Sequence, residues 1–166
     1  MRLISEAKQA LVFLEPLNSE EREQIEVWDK DPEVSKYREV ENFTETESKS
    51  IGFGIHDKTS SKLIGSIDIS SINTKNNHAE IGMAIGDKSY WGKGYGTDSV
   101  KTVLNYCFSE LGLNKVYLDV WEENRGAIGC YLKCGFKKDG ALREHVFKNG
   151  KYHNKWIMSV LHEEWK

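Results

Sequence analysis

The feature that most constrains this fold is a change of periodicity across a glycine-rich turn. Before the turn, residues 79–87 (AEIGMAIGD) alternate apolar side chains with period two, which is typical of a half-buried strand. The turn itself, SYWGKGYGTDSV, has Gly92, Gly94 and Gly96 at every second position. After it, apolar residues recur at helical spacing until Gly112, which predicts a helix that ends there. Each glycine loses extra backbone entropy on folding, so three of them so close together need a functional or packing reason.

A strand, a glycine-rich turn and a helix N-terminus in this order form a site for an anion. Free backbone N–H groups point outward, the helix dipole favours negative charge, and Lys93 adds a cation. Two nucleotide motifs do not fit the spacing. A Walker A loop needs a hydroxyl residue after Gly-Lys, but Gly94 follows Lys93, and a dinucleotide fingerprint needs its third glycine one residue later than Gly96. A phosphate site and a tight turn that only packs both remain open, and the physics favours phosphate.

The rest of the pattern predicts one mixed α/β domain over residues 1–166, with a central, mostly antiparallel sheet of about seven strands and about four helices. Alternation and turn residues predict strands over 10–16, 51–57, 62–70, 79–87, 115–121, 142–148 and 152–162. Helices are predicted from Asn18 to Trp28, at Asp31-Pro32-Glu33, over 45–50, from the glycine turn to Gly112, and from Asn124 to Gly135. The Asn149-Gly150 pair predicts a hairpin between the last two strands. A helical crossover between strands 79–87 and 115–121 predicts that this pair is parallel.

Composition argues against several classes of function. The net charge is −3 and no block of like charge occurs, so we expect no nucleic-acid partner. No apolar run approaches the roughly 20 residues that span a bilayer, and the N-terminal residues lack a signal-peptide pattern, so we expect no membrane contact and a cytoplasmic protein. Cys107, Cys130 and Cys134 form no CxxC pair and the five histidines lack ligand spacing, so we expect buried reduced thiols and no metal.

Two long stretches of the sequence carry a family resemblance. The segment AEIGMAIGDKSYWGKGYGTDSV, followed by NKVYLDVWEENRGAIGCYLKCGF, resembles the GNAT superfamily of N-acetyltransferases. Within it the chain is most similar to the RimJ/RimL-like branch, as WDKDPEVSKY and EHVFKNGKYHNKWIM also indicate. The resemblance spans nearly the whole chain and is most specific over residues 79–136. It implies the GNAT fold, in which two parallel strands splay apart, and acetyl-CoA as the co-substrate.

The resemblance also assigns residues to the cofactor. The glycine turn would bind the pyrophosphate of acetyl-CoA, and Trp91 stands where the superfamily usually has a glutamine or an arginine. The strand before it would offer backbone groups to the pantetheine arm, Asn124 would contact the cofactor, and Tyr131 would lie beside the thioester sulfur. The implied cofactor residues are Met83, Ala84, Ile85, Trp91, Gly92, Lys93, Gly94, Tyr95, Gly96, Thr97, Asn124, Ala127 and Tyr131.

Acetyl transfer to an amine needs a base for the ammonium proton and an acid for the departing thiolate. An alkyl ammonium has a pKa of roughly 10.4, so near pH 7 a base or a desolvating site must help. We predict Glu80 as the base, because it alternates away from Ile81 on the strand that the resemblance puts beside the acetyl group; the alternative is a solvent-facing glutamate. We predict Tyr131 as the acid, since its phenol pKa of roughly 10 is close to that of a thiol. Helical spacing alone would favour a core aromatic at this position, and the family match favours the acid.

These residues predict an acetyl-CoA-dependent N-acetyltransferase that works by direct attack in a ternary complex, since no cysteine is placed to form an acyl-enzyme. The predicted acceptor is a primary amine: a protein or peptide N-terminus, a polyamine, an amino sugar or another small amine. The tail NGKYHNKWIM resembles spermidine acetyltransferases without selecting a substrate, and Arg38, Glu41 and Arg143 are candidates for the acceptor groove. The alternative function is a non-catalytic acyl-CoA-binding sensor or structural module. A homodimer through the C-terminal strands is a further expectation.

Overall fold

A single eight-stranded sheet organises the computed structural model, which describes residues 1–39 and 49–165. Its strands are β1 (Leu3–Ile4), β2 (Val12–Glu15), β3 (Ile51–Asp57), β4 (Leu63–Asn73), β5 (His78–Ile85), β6 (Lys115–Trp121), β7 (Lys137–Lys148) and β8 (Lys151–Leu161). The helices are α1 (Ser19–Asp29), α2 (Tyr95–Ser109) and α3 (Arg125–Lys133), with short 3₁₀ turns at Lys88–Tyr90 and His162–Glu164. The strand order is β1-β2-β3-β4-β5-β6-β8-β7, and every neighbouring pair is antiparallel except β5 and β6. The predicted mixed, mostly antiparallel sheet is therefore present, with one strand more than expected.

The parallel pair β5 and β6 is joined over a short length only. Residues 78–80 of β5 pair with 115–117 of β6. Beyond them, β5 stays with β4 as far as Ile85, while β6 stays with β8 as far as Trp121. The two strands therefore diverge and leave a V-shaped opening in the middle of the sheet, which confirms the predicted splayed pair.

The hydrophobic core lies between the sheet and one face of α2. The buried apolar residues of α2 are Val100, Val103, Leu104, Cys107 and Phe108. They belong to one cluster with sheet residues such as Phe53, Ile67 and Ile81. Burial of such side chains contributes about 1.5–3 kcal/mol each relative to exposure. This packing fixes α2 on the sheet, with its N-terminus at the open end of β5.

Local signals set the element ends where the sequence predicts them. Asn18 caps α1: its side chain accepts a hydrogen bond from the N–H of Glu21 (2.9 Å), and the Glu21 carboxylate accepts one from the N–H of Asn18 (3.1 Å). Gly112, with φ of 63°, follows the end of α2. Asn149 and Gly150 have φ of 53° and 74° and make the tight hairpin turn between β7 and β8.

Two short elements differ from the prediction. Strand β1 is the addition to the expected seven; at two residues it is too short to show a sequence period. The segment predicted as a helix at Asp31-Pro32-Glu33 instead forms hydrogen-bonded turns over 32–37. The Asp31 carboxylate accepts the N–H of Glu33 (2.9 Å) and pairs with Lys88 (2.9 Å), so the side chain stabilises a local turn that competes with a helix.

The helix predicted over 45–50 lies mostly outside the described residues. Its described part, residues 49–50, is not helical. Among the helices of the described ranges, none is long and apolar enough to cross a membrane. Residues 1–39 and 49–165 also contain no group of three or more His, Cys, Asp or Glu side chains that could hold a metal ion.

Candidate active site

The divergence of β5 and β6 opens a cleft of about 1080 Å³. Its walls come from β4, β5, the glycine turn, the start of α2, β6, α3, β8, and part of the segment before residue 40. Every residue that the sequence analysis assigns to the cofactor lines this cleft except Lys93, which is exposed. The candidate acid Tyr131 is among the lining residues, whereas the candidate base Glu80 is not. One cleft thus brings together cofactor candidates from two separate parts of the chain.

The three glycines of the turn have different physical reasons. Gly92 and Gly94 have φ of +69° and +88°, in the left-handed region that L side chains rarely adopt. Gly96 lies in the first turn of α2, where a Cβ would come within 3.2 Å of Met83 Cε and 3.8 Å of Cys130 Sγ. Two glycines therefore shape the turn, and the third lets α2 approach β5 and α3 closely.

The first residues of α2 line the cleft and have backbone N–H groups without a partner in the helix. Gly94 is the N-cap residue and supplies no side-chain cap. The first intrahelical bond runs from the N–H of Asp98 to the carbonyl oxygen of Gly94 (3.0 Å). The N–H groups of Tyr95, Gly96 and Thr97 precede it and have no carbonyl partner within α2. Together with the helix dipole, these donors give this end of the cleft a partial positive charge, which suits an anion.

Trp91 ties the glycine turn to the end of β5. Its indole Nε1 donates a hydrogen bond to the carbonyl oxygen of Ile85 (2.8 Å), and the residue is 40% exposed. This bond occupies one lone pair of a carbonyl that the resemblance assigns to the pantetheine arm. The backbone groups of Met83 and Ala84 are not affected by it.

A buried carboxylate connects the first turn of α2 to the N-terminal part of the chain. Asp98, in the first turn, accepts hydrogen bonds from Ser5 Oγ (2.5 Å), the N–H of Leu11 (2.8 Å) and the N–H of Val12 (3.1 Å). A negative charge near a helix N-terminus is itself favourable. The N-terminal part of the chain therefore holds the start of α2 in place, a long-range contact that no local sequence pattern predicts.

Helix α3 carries Asn124 and Tyr131 along one wall of the cleft. Asn124 is its N-cap residue, and its Oδ1 accepts the N–H of Ala127 (3.2 Å). Tyr131 is 6% exposed and packs against Phe136, with ring centroids 5.6 Å apart. Both the core and the active-site interpretation of Tyr131 thus describe part of its environment, because it is buried and also lines the cleft.

Burial changes the acidity of the Tyr131 phenol. Desolvation, followed by the nearby Cys130 and Cys134 thiols, raises its pKa well above the usual value. The hydroxyl is therefore protonated at neutral pH and able to donate a hydrogen bond. It is also a weaker acid than the unperturbed value assumed from the sequence.

Carboxylates from three strands gather where β5 and β6 begin to diverge. Glu80 on β5, Asp119 on β6 and Asp68 on β4 are near enough for the charges of Asp119 and Asp68 to act on Glu80. Burial first, and then these two charges, raise the pKa of Glu80. Asp68 is accessible from the cleft, but protein surrounds it on its other sides. The resulting loss of hydration raises its pKa, and the positive charge of Arg38 opposes this rise. Asp68 and Asp119 both line the cleft.

Lys155 on β8 is a buried cation beside these carboxylates. It is 8% exposed, its Nζ lies 3.0 Å from Asp119 Oδ1, and it also pairs with Glu39. Burial lowers its pKa, but the bonds to Glu39 and Asp119 raise it by more. The ammonium is therefore charged and offsets part of the negative charge of the cleft.

Part of the segment before residue 40 also lines the cleft. Lys148 Nζ donates to the carbonyl oxygens of Ser35 (2.8 Å) and Arg38 (3.0 Å), and Arg38 pairs with Asp29 (2.6 Å). Arg38 lines the cleft, as expected of an acceptor-groove residue. Arg143 does not: it is exposed on β7, outside the lining. Glu41 lies outside the described residues.

The cysteines are unpaired, but one of them is not buried. Cys107 and Cys134 are buried, as predicted, whereas Cys130 is half-buried and lines the cleft. The expectation that all three are core thiols is therefore wrong for Cys130. Helical spacing puts Cys130 next to the buried stripe, but the sequence cannot show that the adjoining cleft exposes it.

Comparison with known proteins identifies relatives of this chain. Residues 12–137 match the family model described as the acetyltransferase (GNAT) domain. The chain is 29% identical over 150 residues to the uncharacterized N-acetyltransferase p20 of Bacillus licheniformis, covering 81% of this chain and 84% of that protein. It is 31% identical over 165 residues to the spermidine N(1)-acetyltransferase of Escherichia coli strain K12, covering 93% of this chain and 88% of that protein.

A solved structure with a similar fold contains both CoA and a polyamine. The spermidine N-acetyltransferase from Vibrio cholerae, in complex with CoA and spermine, superposes with a TM-score of 0.83 at 26% identity. The match covers 93% of this chain and 97% of that chain. The shared architecture therefore extends over nearly all of both molecules.

Proposed function

We propose an acceptor and a mechanism from the premise that this chain belongs to the GNAT acetyltransferase family. It has the GNAT fold and is an N-acetyltransferase that uses acetyl-CoA as its co-substrate. We propose that its acceptor is a primary amine of a small aliphatic polyamine, acetylated by direct attack in a ternary complex. The observation that carries this proposal is one cleft with free helix-terminal N–H donors, a buried phenol and a group of carboxylates.

The donor half of the cleft would hold acetyl-CoA in one orientation. The N–H groups of Tyr95, Gly96 and Thr97 are free to bind the pyrophosphate. The backbone of Met83 and Ala84, on the edge of β5 that no longer pairs with β6, is suited to the pantetheine arm. This orientation directs the thioester toward Tyr131.

The carboxylates supply a base for the ammonium proton. We propose that Glu80 receives this proton through an intervening water, because Glu80 does not line the cleft whereas its neighbour Asp119 does. Burial and two nearby negative charges raise the pKa of Glu80, which makes it a stronger base than an exposed glutamate. The neutral amine then attacks the thioester carbonyl, and backbone N–H groups of the splayed strand stabilise the oxyanion.

Collapse of the tetrahedral intermediate forms the amide and breaks the carbon–sulfur bond. We propose that Tyr131 donates to the departing thiolate, since Tyr131 lines the cleft and its hydroxyl is protonated. Because burial disfavours a phenolate, the hydrogen bond to sulfur is the larger part of this role. The proton that Tyr131 passes to the thiolate is replaced by the proton that the attacking nitrogen loses as the amide forms.

The charges of the acceptor half support a polycationic substrate. The Asp119 and Glu39 carboxylates pair with Lys155, but among the described residues no side chain forms an ion pair with Asp68. The strand register puts Gly52 and Gly82 directly opposite Asp68, so neither neighbouring strand covers its carboxylate with a side chain. A second ammonium of a polyamine would be neutralised there. The names of the Escherichia coli and Vibrio cholerae relatives agree with this chemistry.

An amine panel tests the acceptor. Acetyl-CoA is incubated with spermidine, spermine, butylamine, an amino sugar or a peptide with a free N-terminus, and free thiol is measured. We expect thiol release only with an amine, and a higher kcat/KM for the polyamines than for butylamine, which has the same reacting group and no second charge. A higher kcat/KM for the peptide or the amino sugar would refute the polyamine. Absence of turnover with every amine would favour the non-catalytic acyl-CoA sensor or structural module.

Several expectations from the sequence stay predictions. They are that residues 1–166 act as a single acetyltransferase domain, the RimJ/RimL-like branch, a homodimer through β7 and β8, and a cytoplasmic location.

A further inference from the structure

Lys155 is a buried cation in the half of the cleft that is proposed to receive a cationic amine. It is 8% exposed, its Nζ lies 3.0 Å from Asp119 Oδ1, and it also pairs with Glu39. An ammonium at this place repels the ammonium of an acceptor. A buried ion pair is also weak evidence for stability, because well-packed apolar residues often replace one without cost. Lys155 therefore serves something other than substrate attraction or folding.

The strand register places Lys155 on the same face of the sheet as the proposed base. Glu80 of β5 is directly opposite Tyr117 of β6, and Asp119 follows Tyr117 by two residues, so the three side chains share one face. Lys155 of β8 is directly opposite Trp121, which follows Asp119 by two residues on that face. Asp119 therefore lies between the base and the cation.

Asp119 connects the cation to the base. Its Oδ1 accepts a hydrogen bond from Lys155 Nζ (3.0 Å), and its carboxyl group is also within hydrogen-bonding distance of the Glu80 carboxyl group. Burial, followed by the charges of Asp119 and Asp68, raises the pKa of Glu80, and the charge of Lys155 opposes this rise. The geometry and the charges thus couple Lys155 to Glu80.

Other titratable side chains around Glu80 and Asp119 come from four elements and from the segment before residue 40. They are Asp68 of β4, His78 of β5, Tyr117 of β6, Tyr131 of α3, and Arg38 and Glu39 of that segment. Burial raises the pKa of both phenols, so Tyr117 and Tyr131 are neutral near pH 7. Arg38 pairs with Asp29 (2.6 Å), whereas Lys155 pairs with the direct neighbour of Glu80.

We propose that Lys155 is a positioning residue for removal of the amine proton and acts through Asp119 on the base Glu80. Its ion pair fixes the Asp119 carboxylate beside Glu80. Its positive charge keeps Glu80 ionised, and so able to accept the proton of the acceptor ammonium, to a lower pH than the carboxylates alone would allow. This inference rests on the proposed function, because it assigns Lys155 to the same base in the same cleft.

The pH dependence of kcat/KM for spermidine tests this role. Lys155→Met removes the charge and retains an unbranched side chain. We expect the acidic inflection to move to higher pH by about 1 pH unit, because a nearby opposite charge lowers a carboxyl pKa by roughly 1–3. Lys155→Gln, a second neutral variant, moves it in the same direction, and Lys155→Arg restores the wild-type inflection.

The neutral variants are expected to fold. The side chains of Glu39 and Asp119 are 33% and 39% exposed, so water in the cleft hydrates both carboxylates when Lys155 is replaced. Lys88→Met is the matched control. Lys88 also pairs with two carboxylates of the segment before residue 40, Asp31 (2.9 Å) and Glu33 (2.7 Å), but it does not line the cleft. Its replacement leaves the inflection where the wild type has it.

Carbon-13 NMR of the Glu80 carboxyl carbon follows the same ionisation in the free protein, without any amine. The resonance is assigned by its absence in Glu80→Gln, and we expect its midpoint to move to higher pH in Lys155→Met and Lys155→Gln. The proposal is overturned if neither variant moves this midpoint, or if Lys155→Arg moves it as far as Lys155→Met does. A midpoint that moves while the kinetic inflection stays fixed would instead show that Glu80 is not the base, which refutes that part of the proposed function and the role of Lys155 in proton removal.

Discussion

The left-handed backbone of Gly94 is the most direct link between the glycine turn and cofactor affinity. Gly94→Ala introduces a Cβ that meets only Leu11 Cδ1, at an ordinary 3.6 Å, so crowding is not the main effect. The cost comes from φ of +88°, because an L side chain in this region is unfavourable by about 1–2 kcal/mol. Residues 91–94 are exposed, so we expect the turn of the free variant to relax away from this conformation.

Binding of acetyl-CoA must then restore the strained conformation that aligns the donors of Tyr95, Gly96 and Thr97. Restoring this conformation costs the same 1–2 kcal/mol of binding free energy, which weakens acetyl-CoA binding by about 5- to 30-fold. The assay is isothermal titration of the purified protein with acetyl-CoA, together with the KM for acetyl-CoA at a saturating amine. Thermal unfolding in the same buffer reports the effect on stability.

Gly112→Ala is the matched control. Gly112 also has positive φ (+63°), and a Cβ there meets nothing within 4 Å, but it lies beyond the opposite end of α2. Gly112 is also exposed, but the N–H of the buried Leu113 donates to the carbonyl oxygen of Cys107 (3.0 Å) and holds this backbone in place. The strain therefore remains in the free protein, so the Tm of this variant falls by roughly 2–8 °C while acetyl-CoA affinity is unchanged. The reasoning is refuted if Gly94→Ala binds acetyl-CoA within two-fold of wild type, or if Gly112→Ala weakens binding equally.

Three further substitutions test the roles of single side chains. Tyr131→Phe lowers kcat by about ten-fold or more and leaves the KM for acetyl-CoA nearly unchanged; an unaltered kcat in steady-state assays would exclude the proposed acid. Glu80→Gln removes the acidic inflection of the kcat/KM profile, which in the wild type rises with pH through the raised pKa of Glu80 as the base loses its proton; a profile identical to wild type rules Glu80 out as the base. Asp68→Asn raises the KM for spermidine more than the KM for butylamine, whereas equal effects on both would remove its role at the second ammonium. The same variant has a higher Tm than wild type at pH 7, because a raised pKa means that ionised Asp68 opposes folding, and the difference disappears as pH falls below the unfolded-state pKa.

Local patterns in the sequence predict the parts of the site that are contiguous in the chain. The glycine turn, the start of α2 and the Asn124 cap of α3 each depend on neighbours within a few residues, and all three form as predicted. Asp31 shows the limit of such signals. Asp31 is followed by Pro32, a pattern that suits a helix start. Its carboxylate instead accepts the N–H of Glu33 and pairs with the distant Lys88, so the segment forms turns and not a helix.

The acceptor half of the site could not be predicted in the same way. Asp68, Glu80, Asp119 and Lys155 come from four strands, and their proximity depends on the register of β4, β5, β6 and β8. A single sequence carries no direct signal for that register. A charged residue on the exposed face of a strand looks the same whether its neighbours are solvent or other charges.

The contacts of Asp98 could not be predicted from the sequence for a similar reason. An aspartate in the first turn of a helix is common, so its sequence position suggests only a favourable interaction with the dipole. The contacts with Ser5, Leu11 and Val12 require the N-terminal strands to pack under α2, which is a long-range property of the fold.

Initial rates measured while both acetyl-CoA and spermidine are varied test the central claim most directly. Direct attack in one cleft requires that both substrates are bound before the acetyl group moves. We therefore predict double-reciprocal lines that intersect, with thiol release strictly dependent on the amine. Parallel lines, together with an acetylated protein after incubation with acetyl-CoA alone, would show an acyl-enzyme and contradict direct transfer.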